Sequence, residues 1–385
     1  MEKYIPRFFK APAGSFFLFG PRGTGKSTFL KKKFSAALMV DLLKPDVFRA
    51  YSAKPERIIE LVEGSPGKRT VIVDEIQKVP QLLSAVHNLI ERKTGHRFVL
   101  TGSSVRKLKK AGTNLLAGRA LLKTFHPFLL SELPAGHGFE NALRFGTLPI
   151  VINADDPAAL LETYVSLYVR EEVQYEGFTR NIGNFSRFLE AISYSHASVI
   201  NISNVARDCE IGRKTVEGYI QILEDVLLAF RLPVFSKKAR RKLIAHPKFY
   251  FFDTGVFQAL RPKGPLDRPE EIGGAALEGL VAQHLRAWNA YSNNFFQLFF
   301  WRSRNGAEVD FVLYGEQGIY AIEVKNTARV RPEDLRHLLE FKKDYPMCKM
   351  ILLYRGTDIL VTKEVRCIPC EAFLKELKPG VFPKL

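Results

Sequence analysis

The sequence predicts an α/β fold in which helices cover both faces of a parallel sheet, followed by two further domains. At 385 residues the chain is longer than one hydrophobic core usually organises. In its first third, helix-like segments such as residues 27–34 and 82–92 separate short apolar runs. This alternation of strand and helix is typical of a parallel sheet. The apolar runs are residues 15–19, 37–40, 70–73, 98–101 and 120–125.

The composition excludes several classes of protein. Apolar residues make up 46% of the chain and charged residues 25%, which is ordinary for a globular protein. No stretch approaches the roughly 18 uninterrupted apolar residues that a membrane-spanning helix needs. Residues 1–10 carry charges, and no apolar export segment follows them. We therefore expect a cytoplasmic protein without a membrane partner.

The formal net charge of +17 is concentrated in two segments. Residues 92–131 contain nine Lys and Arg, residues 231–248 contain seven, and neither segment contains Asp or Glu. Concentrated positive charge favours a polyanion such as DNA, because each neutralised phosphate releases counterions. The alternative is that these residues form solvated loops that keep the protein soluble. DNA is therefore a predicted partner, with that alternative open.

A complete phosphate-binding loop motif lies between the first apolar run and the first helix-like segment. Residues 20–27 satisfy the pattern G-x-x-x-x-G-K-[ST]. In this motif backbone N–H groups surround the phosphates, Lys26 faces the β and γ phosphates, and the Ser27 hydroxyl can bind Mg²⁺. The sequence thus predicts ATP and Mg²⁺ as cofactors. The predicted nucleotide-binding residues are Gly20, Pro21, Arg22, Gly23, Thr24, Gly25, Lys26, Ser27 and Thr28.

Two later strand ends supply candidates for the hydrolysis step. The apolar run Val71–Val73 is followed by Asp74 and Glu75. We expect Asp74 to hold Mg²⁺ through water and Glu75 to polarise the attacking water. The next run ends at Thr101, and the hydroxyl of Ser103 behind it can hydrogen-bond the water or the γ phosphate. For Ser103 the alternative is a strand that ends in an ordinary turn.

Together with Leu116-Ala117-Gly118-Arg119, these motifs resemble those of bacterial and archaeal AAA+ ATPases. Such proteins combine a Walker A motif, an Asp-Glu Walker B motif and a polar sensor at a strand end. The resemblance covers residues 1–133. It implies ATP hydrolysis, assembly into a homo-oligomer, and a role for Arg119 as an arginine finger or sensor on the transferred phosphate. The alternative is that Arg119 belongs to the basic surface and only contacts phosphate or solvent.

Residues 202–223 have the pattern of a helix-turn-helix, as in a winged-helix domain. The exposed side of its second helix is where such a domain meets DNA, and the basic segment behind it can contact the DNA backbone as a wing. Use of this domain for packing or for binding a protein is the alternative. The predicted DNA-binding residues are Arg213, Lys214, Gln221, Lys237, Lys238, Arg240, Arg241 and Lys242.

Nearer the C-terminus, residues 301–313 and 320–325 predict the two strands of a β-hairpin. Strand alternation places Glu323 and Lys325 on one face of the second strand, and Asp310 can meet them from the first. Two carboxylates can bind Mg²⁺, while a lysine can orient a water or stabilise charge on a phosphate. The hairpin is therefore a candidate metal-dependent site.

This hairpin resembles the core of PD-(D/E)XK nucleases, and the resemblance covers residues 273–356. Val309 departs from it, because the family motif has Pro there. The resemblance implies a restriction-endonuclease-like α/β domain, with Glu278 of a preceding helix-like segment as an additional acid. The metal-binding candidates are Glu278, Asp310 and Glu323, and the catalytic candidates are Asp310, Glu323 and Lys325. Such domains also serve as DNA-binding or assembly modules without catalysis, and that alternative stays open.

Four segments are therefore expected, and they allow two functional hypotheses. The first hypothesis is an ATPase that binds and processes DNA under nucleotide control, with a metal-dependent C-terminal nuclease. The second is an ATPase signalling switch whose C-terminal domain only binds DNA or a protein. The segments are an AAA+ P-loop ATPase core at residues 1–132, a helical lid or connector at 133–175, a winged-helix domain at 176–262 and a nuclease-like domain at 272–385.

Overall fold

The computed structural model divides the chain into two compact units. One unit consists of Phe9–His126 with Asp225–Leu227. The other consists of the residues up to Phe8, Pro127–Glu224 and Leu228–Leu385. The residues that the structure describes are 4–104, 118–134, 136–169, 182–236, 246–265, 267–303 and 305–383.

The first unit is an α/β domain built on five parallel strands. The strands are β1 (Phe16–Phe19), β2 (Leu38–Asp41), β3 (Thr70–Asp74), β4 (Arg97–Gly102) and β5 (Leu121–Thr124). Their order in the sheet is β2-β3-β4-β1-β5. The helices are α1 (Lys26–Lys33), α2 (Pro45–Ala53), α3 (Arg57–Glu63) and α4 (Leu82–Glu91), and a 3₁₀ turn spans Ile76–Lys78. The predicted parallel α/β architecture is confirmed for this unit.

The central strands of this sheet are buried along nearly their whole length. Every residue of β1 is buried, as is every residue of β4 after Arg97. Continuous burial is typical of parallel strands that are covered on both faces. Because β1, β3 and β4 run in the same direction, the residues that follow them meet at one edge of the sheet. That edge positions the nucleotide-binding motifs.

The second unit begins with helices and a small antiparallel sheet. Its helices before residue 262 are α5 (Phe139–Phe145), α6 (Pro149–Ile152), α7 (Pro157–Thr163), α8 (Ile182–Ser193), α9 (Ile202–Asp208), α10 (Arg213–Asp225) and α11 (Thr254–Leu260). A 3₁₀ turn precedes α5 at Leu130–Glu132, and α7 continues as a π-helix at Tyr164–Val169. The strands are β6 (Ser198–Val199), β7 (Ala229–Leu232) and β8 (Lys248–Phe251), in the order β6-β8-β7.

The remainder of the second unit is a six-stranded mixed sheet with three helices. The strands are β9 (Phe296–Arg302), β10 (Glu308–Gly315), β11 (Gly318–Val324), β12 (Lys349–Tyr354), β13 (Leu360–Thr362) and β14 (Val365–Pro369). Their order is β13-β14-β12-β11-β10-β9, and the pairs β11–β12 and β12–β14 are parallel. The helices are α12 (Pro269–Tyr291), α13 (Arg336–Asp344), which follows a 3₁₀ turn at Pro332–Leu335, and α14 (Cys370–Glu376).

The run predicted as one strand at residues 301–313 is two strands in the structure. β9 ends at Arg302 and β10 begins at Glu308. Between them the Ser303 N–H donates to the Ala307 carbonyl at 2.8 Å, and Gly306 has a φ of 84°. This backbone conformation suits glycine, and the dipeptide Asn305-Gly306 favours a turn, so the chain turns back within the predicted strand. The hairpin of β10 and β11 forms as predicted.

The sequence also predicts a linker at residues 261–271, which are rich in Pro and charge. Backbone hydrogen bonds join the segments on either side of it. The Phe235 N–H, just beyond β7, donates to the Phe300 carbonyl of β9 at 2.6 Å. In return the Phe300 N–H donates to the Pro233 carbonyl at 3.0 Å. Residues before and after the linker therefore belong to one folded unit, in agreement with its compactness.

Among the described helices, α12 is the longest at 23 residues. Neither α12 nor any other helix in the described part of the chain combines the length and the apolar character that crossing a membrane requires.

Candidate functional site

The predicted phosphate-binding loop joins the end of β1 to the start of α1. Gly25 caps α1 with a φ of 82°, a conformation that residues with a Cβ rarely adopt. A side chain at Gly20 would also be obstructed, because its Cβ would lie 2.4 Å from the Phe125 carbonyl oxygen. The loop therefore needs glycine where the motif has it. It leads into a helix N-terminus, whose N–H groups and dipole attract anions.

The Lys26 side chain is buried at the centre of this loop. Its ammonium donates to the carbonyl oxygens of Gly20 at 2.5 Å and Pro21 at 3.0 Å. The Thr24 hydroxyl donates to the same Pro21 carbonyl at 2.8 Å. The structure thus brings together the predicted nucleotide-binding residues 20–28 in one loop and the first turn of α1.

The Walker B aspartate lies directly beside the helix that follows this loop. The Ser27 hydroxyl donates to Asp74 Oδ2 at 2.7 Å, and the Thr101 hydroxyl donates to Asp74 Oδ1. The backbone N–H of Glu75 donates to Thr101 Oγ1 at 3.2 Å, which ties the ends of β3 and β4 together. Ser27 and Asp74 offer hard oxygen atoms at a helix N-terminus, so they fit the Mg²⁺ ion that accompanies a nucleotide triphosphate.

Glu75 is held by a residue that the motifs do not include. Its backbone is in the left-handed region, with a φ of 61°, and its side chain is buried. The amide nitrogen of Gln77 donates to Glu75 Oε2 at 2.5 Å and to Ser103 Oγ at 3.0 Å. Glu75 and Ser103, predicted as separate contributors, are therefore connected through Gln77.

Arg119, the predicted arginine finger, lies just before β5. Its guanidinium forms an ion pair with Glu91 of α4, and its side chain is 42% exposed. Leu116 and Ala117 of the same motif lie outside the described residues. A contact between Arg119 and a phosphate stays a prediction, and this contact would have to compete with the ion pair to Glu91.

The helix-turn-helix separates a buried face from an exposed one. Arg213, Lys214 and Gln221 are exposed on α10, as expected. Gln221 also accepts a hydrogen bond from Arg231 at 3.3 Å. The residues of α10 that pack inward are Val216, Tyr219, Ile220, Ile222 and Leu223. The predicted basic residues Lys237, Lys238, Arg240, Arg241 and Lys242 lie outside the described residues.

Some of the positive charge assigned to a DNA surface is instead used inside the protein. Arg231 forms hydrogen bonds with both carboxylate oxygens of Glu224, at 3.0 and 2.5 Å. Lys248 is buried, with 1% of its surface exposed. Two of the seven basic residues in the segment 231–248 therefore have internal partners, and the segment offers less charge to DNA than its composition suggests.

The C-terminal hairpin brings Asp310 and Glu323 side by side. Phe311 of β10 pairs with Ile322 of β11, so the next residues outward lie opposite each other. The Val324 N–H donates to Asp310 Oδ2 at 2.9 Å, which fixes the carboxylate. Three of the predicted acids and a further one, Glu308, face the same region of the fold. We call Glu278, Glu308, Asp310 and Glu323 the acidic cluster.

A lysine from outside the predicted nuclease domain occupies the acidic cluster. The Lys248 ammonium, on β8, lies 3.0 Å from Glu278 Oε1, 2.7 Å from Glu308 Oε1 and 2.9 Å from Asp310 Oδ1. An ammonium has three hydrogen-bond donors, and three carboxylates surround this one. The Tyr250 hydroxyl, two residues along β8, adds a hydrogen bond to Glu278 Oε1 at 2.6 Å.

This geometry does not match the expected divalent ion shared by Glu278, Asp310 and Glu323. A Mg²⁺ ion would need the carboxylate oxygens of Glu278 and Asp310 that Lys248 already contacts, and two cations around the same oxygens repel each other. Within the described parts of the chain, no group of three His, Cys, Asp or Glu side chains is arranged to hold a metal ion. The predicted acidic side chains lie close together as expected, but Glu278 and Asp310 surround the Lys248 ammonium.

Burial and charge act on the pKa values of this cluster. Burial, followed by the charge of the neighbouring Asp310, raises the pKa of Glu278 to about 8. Lys248 and Tyr250 lower this pKa but do not outweigh burial. For Lys248, burial alone lowers the pKa of the ammonium, but Asp310, Glu278 and Glu308 outweigh it and hold that pKa well above its ordinary value. Lys248 therefore stays charged at neutral pH.

Glu323 lies on the other side of Asp310 and has different partners. Its Oε1 accepts a hydrogen bond from Lys325 Nζ at 2.6 Å and lies 3.6 Å from His337 Nδ1. Its Oε2 is buried without a hydrogen-bond partner among the described residues. Burial, followed by the charge of Asp310, raises the pKa of Glu323. The nearby Glu323 carboxylate raises the pKa of His337.

Sequence reasoning missed Gln77, Lys248, Tyr250 and His337. Gln77 had a local signal, because a side-chain amide follows Glu75 by two residues in the turn directly behind β3. Lys248 had none, because it belongs to a basic segment that predicts DNA contacts and lies 62 residues from Asp310.

Three family models match successive parts of the chain. Residues 13–134 match a family described as an AAA domain. Residues 136–267 and 273–373 match two families described as domains of unknown function, DUF8612 and DUF4143. The first match covers the parallel sheet, the phosphate-binding loop and the Walker B strand.

Similar proteins of known sequence cover most of the chain. Uncharacterized proteins of Mycobacterium tuberculosis and Mycobacterium bovis are each 24% identical over 348 residues, which is 88% of this chain and 76% of those proteins. Among solved structures, the Pif1 helicase from Candida albicans is 18% identical, with a TM-score of 0.23, and the match covers 40% of this chain and 44% of that one.

The replication initiator DnaA, solved with AMPPCP and single-stranded DNA, is 12% identical with a TM-score of 0.25, over 55% of this chain and 82% of that one. TM-scores this low carry no argument about fold or function. The family match and the assembled Walker motifs do carry one, and they agree. The N-terminal part of this chain is a P-loop ATPase domain of the AAA type.

Proposed function

We propose that this chain is an ATP-hydrolysing switch that binds DNA through its helix-turn-helix and does not cleave it with the acidic cluster. The absence of cleavage rests on one observation: the Lys248 ammonium lies within 3.0 Å of Glu278, Glu308 and Asp310. This choice favours the switch hypothesis over the nuclease hypothesis.

ATP turnover follows from the arrangement at the carboxyl edge of the parallel sheet. Lys26 and the N–H groups of the loop bind the phosphates, and Ser27 and Asp74 hold Mg²⁺, which neutralises charge on the β and γ phosphates. Glu75 accepts the proton of the attacking water. Ser103 lies next to this carboxylate through Gln77 and can orient the same water.

The case for DNA rests on exposed charge and on the layout of the middle segment. Helices α8 to α10 with the antiparallel sheet β6-β8-β7 support a winged-helix domain, in which the second helix of the motif meets DNA. Arg213 and Lys214 are exposed at the start of that helix, α10. Their side chains suit contacts with phosphates, which add affinity without sequence preference.

Homo-oligomer assembly also belongs to this proposal, because an arginine finger usually acts on a nucleotide bound by a neighbouring copy. Arg119 is partly exposed, and to contact phosphate it would have to release its ion pair with Glu91. Mass measurement in solution with and without ATP tests the assembly, and a monomer under both conditions would remove this element of the proposal.

One experiment tests the DNA and cleavage statements together. Supercoiled plasmid is incubated with the purified protein in Mg²⁺ or Mn²⁺, with and without ATP. We expect a mobility shift that weakens steeply with salt, and no nicked product. Replacing Arg213 and Lys214 by Ala should reduce the slope of log affinity against log salt by about 2, since each lost phosphate contact contributes about 0.9.

A matched variant controls for general loss of charge. Replacing Lys342 and Lys343 of α13 by Ala removes the same charge from another helix and should leave the slope unchanged. Equal effects of the two double variants would contradict a DNA surface on α10.

The second candidate function is metal-dependent cleavage, and the buried Oε2 atom of Glu323 favours it. This oxygen has no partner among the described residues, whereas Oε1 of the same carboxylate accepts a hydrogen bond from Lys325, another part of the nuclease motif. Nicking of plasmid that disappears in Asp310→Asn would establish this function. It would also require Lys248 to leave the acidic cluster during the reaction.

A further inference from the structure

Gln77 occupies a buried position between the two candidate hydrolysis residues. It lies in the 3₁₀ turn Ile76–Lys78 directly behind β3 and is 4% exposed. A glutamine side chain has two N–H donors. The amide nitrogen uses them on Glu75 Oε2 at 2.5 Å and on Ser103 Oγ at 3.0 Å. The amide therefore bridges the ends of β3 and β4.

The orientation of this amide follows from its neighbours. Its nitrogen must face Glu75, because the amide oxygen would repel a carboxylate oxygen. The amide oxygen then points towards Gly102, where it is buried without a hydrogen-bond partner among the described residues. A Cβ at position 102 would lie 2.4 Å from this oxygen. Glycine at the end of β4 is thus what makes room for the bridge.

A buried amide oxygen without a hydrogen-bond partner destabilises the folded protein. An apolar side chain at position 77 would avoid burying an oxygen that has no hydrogen-bond partner, yet the protein has glutamine there. The two hydrogen bonds that the Gln77 side chain donates both reach residues assigned to the hydrolysis step. Its side chain therefore acts on turnover through other residues.

We propose that Gln77 is a positioning residue for ATP hydrolysis. By binding Oε2 it directs Oε1 of Glu75 to the attacking water, and by binding Ser103 it places the second water-orienting group at a fixed distance from the first. The left-handed backbone of Glu75 aims this carboxylate, and Gln77 holds it. This inference rests on ATP turnover by the domain and adds a residue that the Walker motifs do not contain.

Steady-state ATPase kinetics of Gln77→Met test the proposal, because methionine keeps the length of the side chain and removes both donors. We expect kcat to fall by about 10- to 100-fold, as for the loss of an aligned general base. KM and the dissociation constant for ATP should stay within about twofold, because ground-state binding does not involve the bridge. Gln81→Met changes an exposed glutamine of the same domain and should behave as the parent.

Two further variants separate positioning from a structural role. In a background that carries both Glu75→Gln and Ser103→Ala, Gln77→Met should lower turnover no further, because both residues through which Gln77 acts are already altered. Gln77→Leu removes the same two donors and serves if Gln77→Met fails to fold.

Parent-like kcat in Gln77→Met, or in Gln77→Leu where Gln77→Met is unfolded, would overturn the inference. So would a loss that falls on ATP affinity, or an additional loss in the background that carries Glu75→Gln and Ser103→Ala. A parent protein that hydrolyses no ATP would instead defeat the ATPase assignment itself, and the two failures are therefore distinguishable.

Discussion

The nucleotide site and the acidic cluster both place buried carboxylates at strand ends, but they differ in how each carboxylate is satisfied. At the nucleotide site, Asp74 accepts hydrogen bonds from the hydroxyls of Ser27 and Thr101, and no cation pairs with it among the described residues. In the cluster, Asp310 pairs with the Lys248 ammonium. Hydroxyls can remain beside a metal ion or become its ligands, whereas an ammonium competes with it.

A sequence motif therefore predicts which acidic side chains lie close together, but it does not predict which cation they bind. Two carboxylates with a nearby lysine predict metal chemistry equally well whether or not a second lysine arrives from elsewhere in the chain. Asp74 accepts hydrogen bonds from hydroxyl groups and can still bind an incoming metal ion. Asp310 and Glu278 already contact the Lys248 ammonium.

The largest effects of substitution are expected at the nucleotide site, on ATP binding and turnover. Lys26→Ala should abolish tight ATP binding, because it removes the cation that faces the β and γ phosphates. Glu75→Gln should bind ATP like the parent and lose turnover by about 10²- to 10⁴-fold, since only the general base is removed. Nucleotide titration and phosphate release measure the two properties.

Lys31→Ala, an exposed lysine on the same helix, is the control for Lys26→Ala. Turnover by Glu75→Gln at the parent rate would show that another residue activates the water.

The next effect concerns the resident cation of the acidic cluster. Lys248→Met should lower the free energy of unfolding by about 3–5 kcal/mol, because it leaves buried carboxylates without their partner. Millimolar Mn²⁺ should restore part of this loss, since the three acids can then bind the added ion. The parent should show no such response. Chemical denaturation with and without Mn²⁺ measures both.

Lys375→Met provides the contrast, because Lys375 forms an exposed ion pair with Glu371, and such pairs contribute at most about 1 kcal/mol. If Lys248→Met were as mild as Lys375→Met, Lys248 would not be the counter-ion of the cluster. Equal stabilisation of the parent by Mn²⁺ would mean that the acidic cluster binds the metal ion while Lys248 remains in place.

The smallest effect is a pH dependence. The pKa of Glu278 is raised to about 8, whereas an unfolded glutamate titrates near 4.5. Between these values the unfolded chain has lost a proton that the folded protein keeps, so stability should decline as pH rises from about 4.5 to 8. Glu278→Gln should remove this contribution. Unfolding midpoints at pH 5, 6, 7 and 8 test it, with Glu270→Gln, an exposed position of α12, as the control.

A decline that persists unchanged in Glu278→Gln would place the responsible proton on another group. Asp253 is one such group, because burial raises its pKa to about 6.

Local patterns predicted the parts of this protein that depend on neighbouring residues. The strand and helix alternation, the loop from Gly20 to Ser27 and the ends of β3 and β4 follow from short-range sequence, and the structure assembles them. The hairpin register that pairs Asp310 with Glu323 also follows from strand alternation. Each of these features requires only a short motif, a periodicity of about 2 or 3.6 residues, or a known direction of the chain.

Features set by distant contacts could not be predicted in this way. Lys248 and Asp310 are 62 positions apart, and nothing in the sequence distinguishes Lys248 from lysines that face solvent. Gln77 lies near its partner Glu75 in sequence, but its link to Ser103 depends on β3 and β4 being neighbours in the sheet.

The position of Lys248 on β8 also bears on how this protein can change over evolutionary time. The lysine belongs to one sequence family, residues 136–267, while its carboxylate partners belong to the next, residues 273–373. A gene rearrangement that moved the second segment into another protein would deliver three acids without their counter-ion. A protein that received the second segment of this chain alone would therefore have to replace the acids or supply a cation of its own.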